Sequence, residues 1–413
     1  MRELRGEILA EGTATAEPVK KKVDLIYNTT LVCPWDCEIC CVDAVHVQKR
    51  GSELHMHSRG LGVSEVFPLD SRYPNIYAQA AAIRSGRGQE LDLASKKLLI
   101  DNLRDFDARI DISGGDALTL PENLELLRYA AEKLGRDNVT LTVTGAGSAK
   151  VPTALISPHI SEYNFTFDAE SLADVANRPD GYALGNLKRA RDFIAAGCKT
   201  RAELPLTTDI LADEHLQRLY QVLHDEGVSK LLLMRLFPVG RGVVARSKVP
   251  TRDQYLRAID VLKRMEARLG GPVVKLQCAM KHLLPGSYDA ERNPCDLVHE
   301  SFGIMPDGTL LSSPWAYGLD GQPLGREWVL GNLARNTLQE LLSTNLAERY
   351  RRNLDANFGH CKIFAYQHSD KSDPFERIFD SSDPLYTDKL SPAGRAASER
   401  IIPIKAVQGG AES

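Results

Sequence analysis

The strongest constraint on this chain is a rhythm. From residue 23 to about 240, short β-branched or aliphatic runs alternate with longer helical stretches. "VDLIY" (23–27), "RIDIS" (109–113), "VTLTVTG" (139–145), "EYNFTFD" (162–168), "TRAELPL" (200–206) and "KLLLMRLF" (230–237) read as strands. Between them, Leu99, Leu103 and Phe106 form one helical stripe, and "PENLELLRYAAEKLG" runs from a helix-starting Pro121 to a closing Gly135, with Leu124, Leu127 and Ala131 as its apolar positions. "GNLKRARDFIAAG" and "EHLQRLYQVLHDEG" are two further glycine-closed helices. Six strands joined by helical crossovers imply a parallel α/β sheet, open or curled into a partial barrel. Sites in such sheets gather at the carboxyl ends of the strands.

The rhythm breaks twice. Residues 42–90 are a long insertion holding "HMH" at 55–57 and a helix around "NIYAQAAAIRSG". After Gly242 come a helix at 251–269, a cysteine-bearing region to about residue 366, and a polar tail. The expected units are a lead-in (1–22), an α/β unit (23–245), a smaller α+β unit (246–366) and the tail (367–413).

With 413 residues, 43% hydrophobic and 26% charged, the chain can bury a large core. A net charge of -4 gives no electrostatic reason for a nucleic-acid or anionic-membrane partner. No apolar run approaches the roughly 20 residues of a membrane span, and "MRELRGEILAEGTATAEPVKKK" is too polar for a signal peptide. A cytoplasmic location is therefore expected. There, crowded cysteines bind metal or do redox work more often than they form disulfides.

They are crowded in "TLVCPWDCEICCVDAV", directly after the first strand. Cys33, Cys37 and Cys40 are spaced C-x3-C-x2-C. Zinc sites more often pair cysteines as C-x2-C with a second pair or histidines later. Three thiolates on one tight turn can instead bind three irons of a [4Fe–4S] cube, leaving the fourth iron without a protein ligand.

Here the sequence resembles the radical S-adenosylmethionine (SAM) superfamily, which carries this spacing after the first strand of a partial (β/α)6 barrel. The family usually has an aromatic residue before the third cysteine; here it is Ile39. The resemblance implies that SAM chelates the open iron through its amino and carboxylate groups. One electron from an external donor, a flavodoxin or ferredoxin, then splits SAM to a 5′-deoxyadenosyl radical that abstracts hydrogen from an unactivated C–H bond. Cys41 is a bystander on this reading.

Other positions match the family by residue. "DISGGDAL" places Gly114, Gly115 and Asp116 where relatives carry a Gly-Gly-Glu element that receives the SAM amino group. Thr166 and Asp168 match a serine and an aspartate at the end of the fourth strand, and Thr144 ends the third. Arg201 and Glu203 of the fifth strand are candidates for the SAM ribose or carboxylate. "LFPVGRG" (236–242) resembles the exit from the sixth strand. The bland reading of each is an ordinary turn, a β-forming threonine or an ion pair.

The second half holds Cys278, Cys295 and Cys361, with a hairpin turning at Pro306-Asp307-Gly308. This order resembles the SPASM and twitch domains that bind auxiliary iron–sulfur clusters. Their cysteine five residues after the hairpin glycine is Ser313 here, and the later cysteine-dense tail is missing. A two-cluster domain is excluded by count; one auxiliary cluster on the three cysteines remains, against the alternative of buried thiols that only fill space. Trp315 and Trp328 are expected to pack the hairpin against the helix, with lining of the substrate cavity as the alternative, and the HMH histidines to be exposed in a loop.

The expected function is hydrogen abstraction from a small biosynthetic intermediate, for dehydrogenation, epimerisation or rearrangement. The rival is maturation of a peptide or protein; many such relatives begin with a leader-recognition domain for which no room is expected here. A non-catalytic zinc or iron–sulfur scaffold is the alternative from another class. An activase for a glycyl-radical enzyme fits the spacing but not the hairpin-bearing half.

Overall fold

The protein is described by a computed structural model covering residues 20–169, 178–243, 245–284, 286, 292–319 and 321–386. Strands β1 (Lys22–Asn28), β2 (Val32–Cys33), β3 (Val45–Arg50), β4 (Glu53–Ser58) and β5 (Val63–Pro68) come first, followed by helices α1 (Ile76–Gly86) and α2 (Leu93–Asp101). Strands β6 (Asp107–Ser113), β7 (Val139–Thr142), β8 (Glu162–Thr166), β9 (Lys199–Leu206) and β10 (Lys230–Arg235) then alternate with α3 (Glu122–Leu134), α4 (Thr153–Ile156), α5 (Tyr182–Ala195) and α6 (Asp213–Asp225). Helix α7 (Arg252–Leu269) leads to β11 (Val273–Leu276). Strands β12 (Ser301–Ile304), β13 (Thr309–Leu311) and β14 (Val329–Asn332) precede α8 (Leu338–Leu342), α9 (Asn345–Asn353), α10 (Lys362–His368) and α11 (Pro374–Ile378).

One ten-stranded sheet runs β11-β10-β9-β8-β7-β6-β1-β12-β13-β14. The strands from β11 to β12 in that order are parallel, and β13 alone is reversed, pairing antiparallel with both β12 and β14. The six strands expected from sequence form the middle of this sheet. The expected hairpin, turning at Gly308, is also present, but it does not build a sheet of its own: β12 pairs with β1 from Asp24↔Ser301 to Tyr27↔Ile304.

Side-chain alternation along the strands separates core from site. On β6, Ala108, Ile110 and Ile112 are buried in the apolar core, whereas Asp111 and Ser113 face a cavity. On β9, Ala202, Leu204 and Leu206 are buried, while Arg201, Glu203 and Pro205 line that cavity. This period of two is the reason a sheet can carry a greasy outer face and a polar inner one.

In α3 the buried positions are Asn123, Leu126, Leu127 and Ala130; of the expected stripe only Leu127 is fully buried, while Leu124 and Ala131 pack at its edge. Helix α7 starts at a capping box between Thr251 and Gln254 and ends at Gly270 in the left-handed conformation. The insertion is a second, four-stranded sheet in the order β2-β3-β4-β5. The HMH segment therefore lies in strand β4, not in a loop: Met56 is buried, while His55 meets Glu53 and His57 meets Ser64 on the other face. Among the described residues, no helix is long and apolar enough to cross a membrane.

Candidate active site

Cys33, Cys37, Ile39, Cys40 and Cys41 share one cavity of about 230 Å³ with Gly114, Gly115, Thr144, Thr166, Arg178, Arg201 and Glu203. It opens where the loops leave the carboxyl ends of the parallel strands, the place where α/β sheets put their chemistry.

The cysteine loop is held by a residue the sequence did not flag. Arg241, fully buried, donates to Asp43 (2.6 Å), Asp36 (2.9 Å) and the Cys37 carbonyl (2.6 Å), and also to the Ala44 carbonyl. The glycines beside it are there for closeness. A Cβ on Gly240, at φ +49, would stand 2.6 Å from Cys41 backbone, and one on Gly242 would stand 1.9 Å from the Phe237 carbonyl. "GRG" is thus a clasp on the cysteine loop. The sequence marked "LFPVGRG" as a strand exit, but nothing in it showed that its arginine would be buried.

The Gly-Gly turn serves the same loop. Gly115 N–H donates to the Thr30 carbonyl (2.7 Å) and Asp116 N–H to the Val32 carbonyl (2.9 Å). A Cβ on Gly114 would fall 2.3 Å from Thr30 O, and one on Gly115 2.2 Å from Val32 O. The approach that demands glycine here is to the strand leading into the cysteines, and it leaves both glycines on the cavity wall.

Seven of the nine expected SAM-contacting residues line the cavity: Ile39, Gly114, Gly115, Thr144, Thr166, Arg201 and Glu203. Asp116 and Asp168 are not among the lining residues. Asp116 caps the turn at Leu118 and accepts from Gly147 N–H and the Thr144 hydroxyl, tying two loops together. Asp168 accepts from Arg178 Nε (3.1 Å) and from the Tyr182 hydroxyl. Arg178, which sequence reasoning missed, is the member of that pair that reaches the cavity. Arg201 bridges Glu203 (2.8 Å) and Glu162 (3.3 Å), and burial raises the Glu203 carboxyl despite Arg201 beside it.

The thiols fit an iron–sulfur cube. Cys33 Sγ accepts from Trp35 N–H (3.4 Å) and Cys40 Sγ from Ala44 N–H (3.3 Å), the kind of bond that stabilises cluster sulfurs. Burial pushes the Cys33 thiol well up, as does the nearby Cys37; a metal supplies the charge that opposes this. Among the described residues, no three His, Cys, Asp or Glu gather closely enough to hold a single ion.

Cys278, Cys295 and Cys361 come together around a second, smaller cavity of about 40 Å³, with Asp296, Ser313 and Lys362. Phe237, Pro314 and Trp315 line both cavities, and the Phe237 and Trp315 rings stack at 4.9 Å. Trp315 is therefore a partition, whereas Trp328 packs edge-on against Tyr366. Cys198 lies on neither cavity; its sulfur is near Arg136 and the Ser157 carbonyl.

No family model and no curated protein matches this chain. Solved structures do. Streptococcus suis SuiB bound to S-adenosylmethionine superposes with a TM-score of 0.60 at 13% identity, over 89% of this chain and 78% of that one. anSMEcpe with bound AdoMet gives a TM-score of 0.54 at 15% identity, over 92% and 99%. The chain has the fold of the radical SAM enzymes. SuiB bound to precursor peptide SuiA matches with a TM-score of 0.58 at 12% identity, over 89% of this chain and 76% of that one. Within the radical SAM fold, the loop after β1 is where the present chain places Cys33, Cys37 and Cys40, and the β6 turn is where it places Gly114 and Gly115.

Proposed function

We propose that the protein is a radical SAM enzyme that abstracts hydrogen from a compact substrate bound between the strand ends and the Trp315 partition. The observation that carries this reading is the meeting of three loop thiols, the Gly114-Gly115 turn and the Arg201–Glu203 pair in one cavity. Cys33, Cys37 and Cys40 hold a [4Fe–4S] cluster. Gly114 and Gly115 let the cofactor lie against backbone, Ile39 supplies an apolar wall for adenine, and Thr144, Thr166, Arg201 and Glu203 offer partners for its polar groups. When bound, the cluster and SAM supply one-electron cleavage of the sulfonium and the carbon radical that removes a hydrogen atom. Pro314, Trp315 and Phe237 exclude water behind the substrate. An external flavodoxin or ferredoxin supplies the electron.

Cys278, Cys295 and Cys361 hold an auxiliary cluster across that partition. One aromatic layer between the two cavities suits passage of an electron from substrate, and so favours dehydrogenation over redox-neutral rearrangement. A modest cavity shared with cluster and cofactor supports a small biosynthetic intermediate as substrate. The rival reading, a peptide side chain, draws on the likeness to SuiB, which has been captured with the precursor peptide SuiA. A short precursor gene beside this one would favour the peptide.

The test is reductive cleavage. Air-free reconstituted protein with dithionite and SAM is expected to release 5′-deoxyadenosine, and Cys37→Ala to release none. Iron-loaded wild type that releases none would overturn the reading.

A further inference from the structure

We propose that Asp296 is the fourth terminal ligand of the cluster held by Cys278, Cys295 and Cys361; this rests on the auxiliary cluster of the reading above. A four-iron cube needs four terminal ligands, and the small cavity presents three thiols. The other polar side chains on its wall are Asp296, Ser301, Ser313 and Lys362. Lys362 is a cation whose ammonium is occupied by the Asn357 carbonyl (3.1 Å) and its side chain. Ser313 Oγ already accepts from Trp315 N–H (3.3 Å), and both serines are neutral hydroxyls that would have to lose a proton to bind iron. Asp296 alone brings an anionic oxygen, a donor type that iron accepts.

The backbone around Asp296 is built to hold it there. Its carbonyl accepts N–H bonds from His299 (3.0 Å), Glu300 (3.0 Å) and Ser301 (3.3 Å), closing a tight turn. Within that turn Val298 is fully buried at φ +57. A β-branched residue in the left-handed region is strained and persists only where its surroundings over-determine it. That strained turn begins at the residue pair Cys295–Asp296, both of which line the cavity.

The test uses the full chain carrying Cys33→Ala, Cys37→Ala and Cys40→Ala, so that any iron reports the second site, reconstituted without air and examined by iron and sulfide counting and by electron paramagnetic resonance. With Asp296 intact, about four irons and a reduced spectrum indifferent to added imidazole are expected. Asp296→Ala is expected to give a spectrum that shifts with imidazole, and to drop to a three-iron cluster on mild oxidation. Asp296→Cys is expected to restore four irons and indifference, which shows that the effect is ligation and not misfolding. Asp296→Ala matching the parent, or Ser313→Ala opening the site in its place, would overturn the proposal. So would a background that binds no iron, and 5′-deoxyadenosine from the wild type would then leave the radical SAM reading standing.

Discussion

Asp383 and Arg235 form a bidentate ion pair, at 2.9 and 2.7 Å, with both side chains essentially sealed from solvent. Arg235 lies on the wall of the larger cavity and stacks 3.2 Å above the Phe364 ring. The same carboxylate accepts the N–H of Cys361 at 3.0 Å. One aspartate thus links the wall of one cavity to a cysteine of the other. Asp383→Asn keeps the shape and removes the charge, leaving a buried guanidinium uncompensated, and is expected to destabilise the protein by about 3–5 kcal/mol. It should also lower the iron held by Cys278, Cys295 and Cys361 more than that held by the loop cysteines.

The same pair gives a pH dependence with a definite sign. Burial alone would raise the Asp383 carboxyl, but the charge and hydrogen bonds of Arg235 outweigh it and hold the carboxyl below its ordinary range. A depressed carboxyl stabilises the fold above its unfolded value of about 3.9, and that stabilisation is lost as pH falls through the lower folded value. Thermal unfolding of wild type and Asp383→Asn is expected to differ by a constant amount near neutrality and to converge in acid. A gap that widened in acid would contradict this.

Arg241 is expected to be the most sensitive position around the cysteine loop outside the thiols themselves. Arg241→Ala leaves Asp43, fully buried, without its cation and Asp36 with Arg59 alone, at a cost of about 3–5 kcal/mol. Arg241→Lys keeps the charge but loses the forked donors that reach four acceptors at once, so its melting temperature and iron content should fall in between. Wild-type stability in Arg241→Ala would remove the clasp from the picture.

The glycine turn can be tested against a control in the same molecule. Gly114→Ala meets the Thr30 carbonyl at 2.3 Å from a backbone at φ +129 and should cost about 1–3 kcal/mol. Gly185, inside α5, has no atom within 4 Å of an added Cβ, so Gly185→Ala is expected to stabilise by about 0.5–1 kcal/mol. Urea unfolding of both variants checks the pair; Gly114→Ala as stable as wild type would mean that the turn has slack.

What was legible in the sequence was local. The six central strands announced themselves because residues such as Ile110, Ile112, Leu231 and Leu233 alternate with the cavity-facing set, and the cysteine spacing pointed to the loop. The docking of β12 on β1 was not legible, since it joins residues such as Asp24 and Ser301 across most of the chain and no local pattern encodes such pairing. Nor were Arg178, Arg235, Arg241 and Asp383, because one charged residue looks like another until the fold buries it. The strand holding His55 and His57 was readable in principle from the buried Met56 between them. The residues after 366, read as a polar tail, bring Asp383 into the core, a role visible only in three dimensions.

The most direct measurement is the electron paramagnetic resonance spectrum of the reduced, air-free wild-type protein before and after SAM is added. The expected result is one [4Fe–4S] signal whose g-values shift on addition and which is lost in the Cys33→Ala/Cys37→Ala/Cys40→Ala variant, where only the signal of the second site remains. A reduced wild-type spectrum in which no cluster signal shifts with SAM would contradict an iron left open for that cofactor beside Gly114 and Gly115.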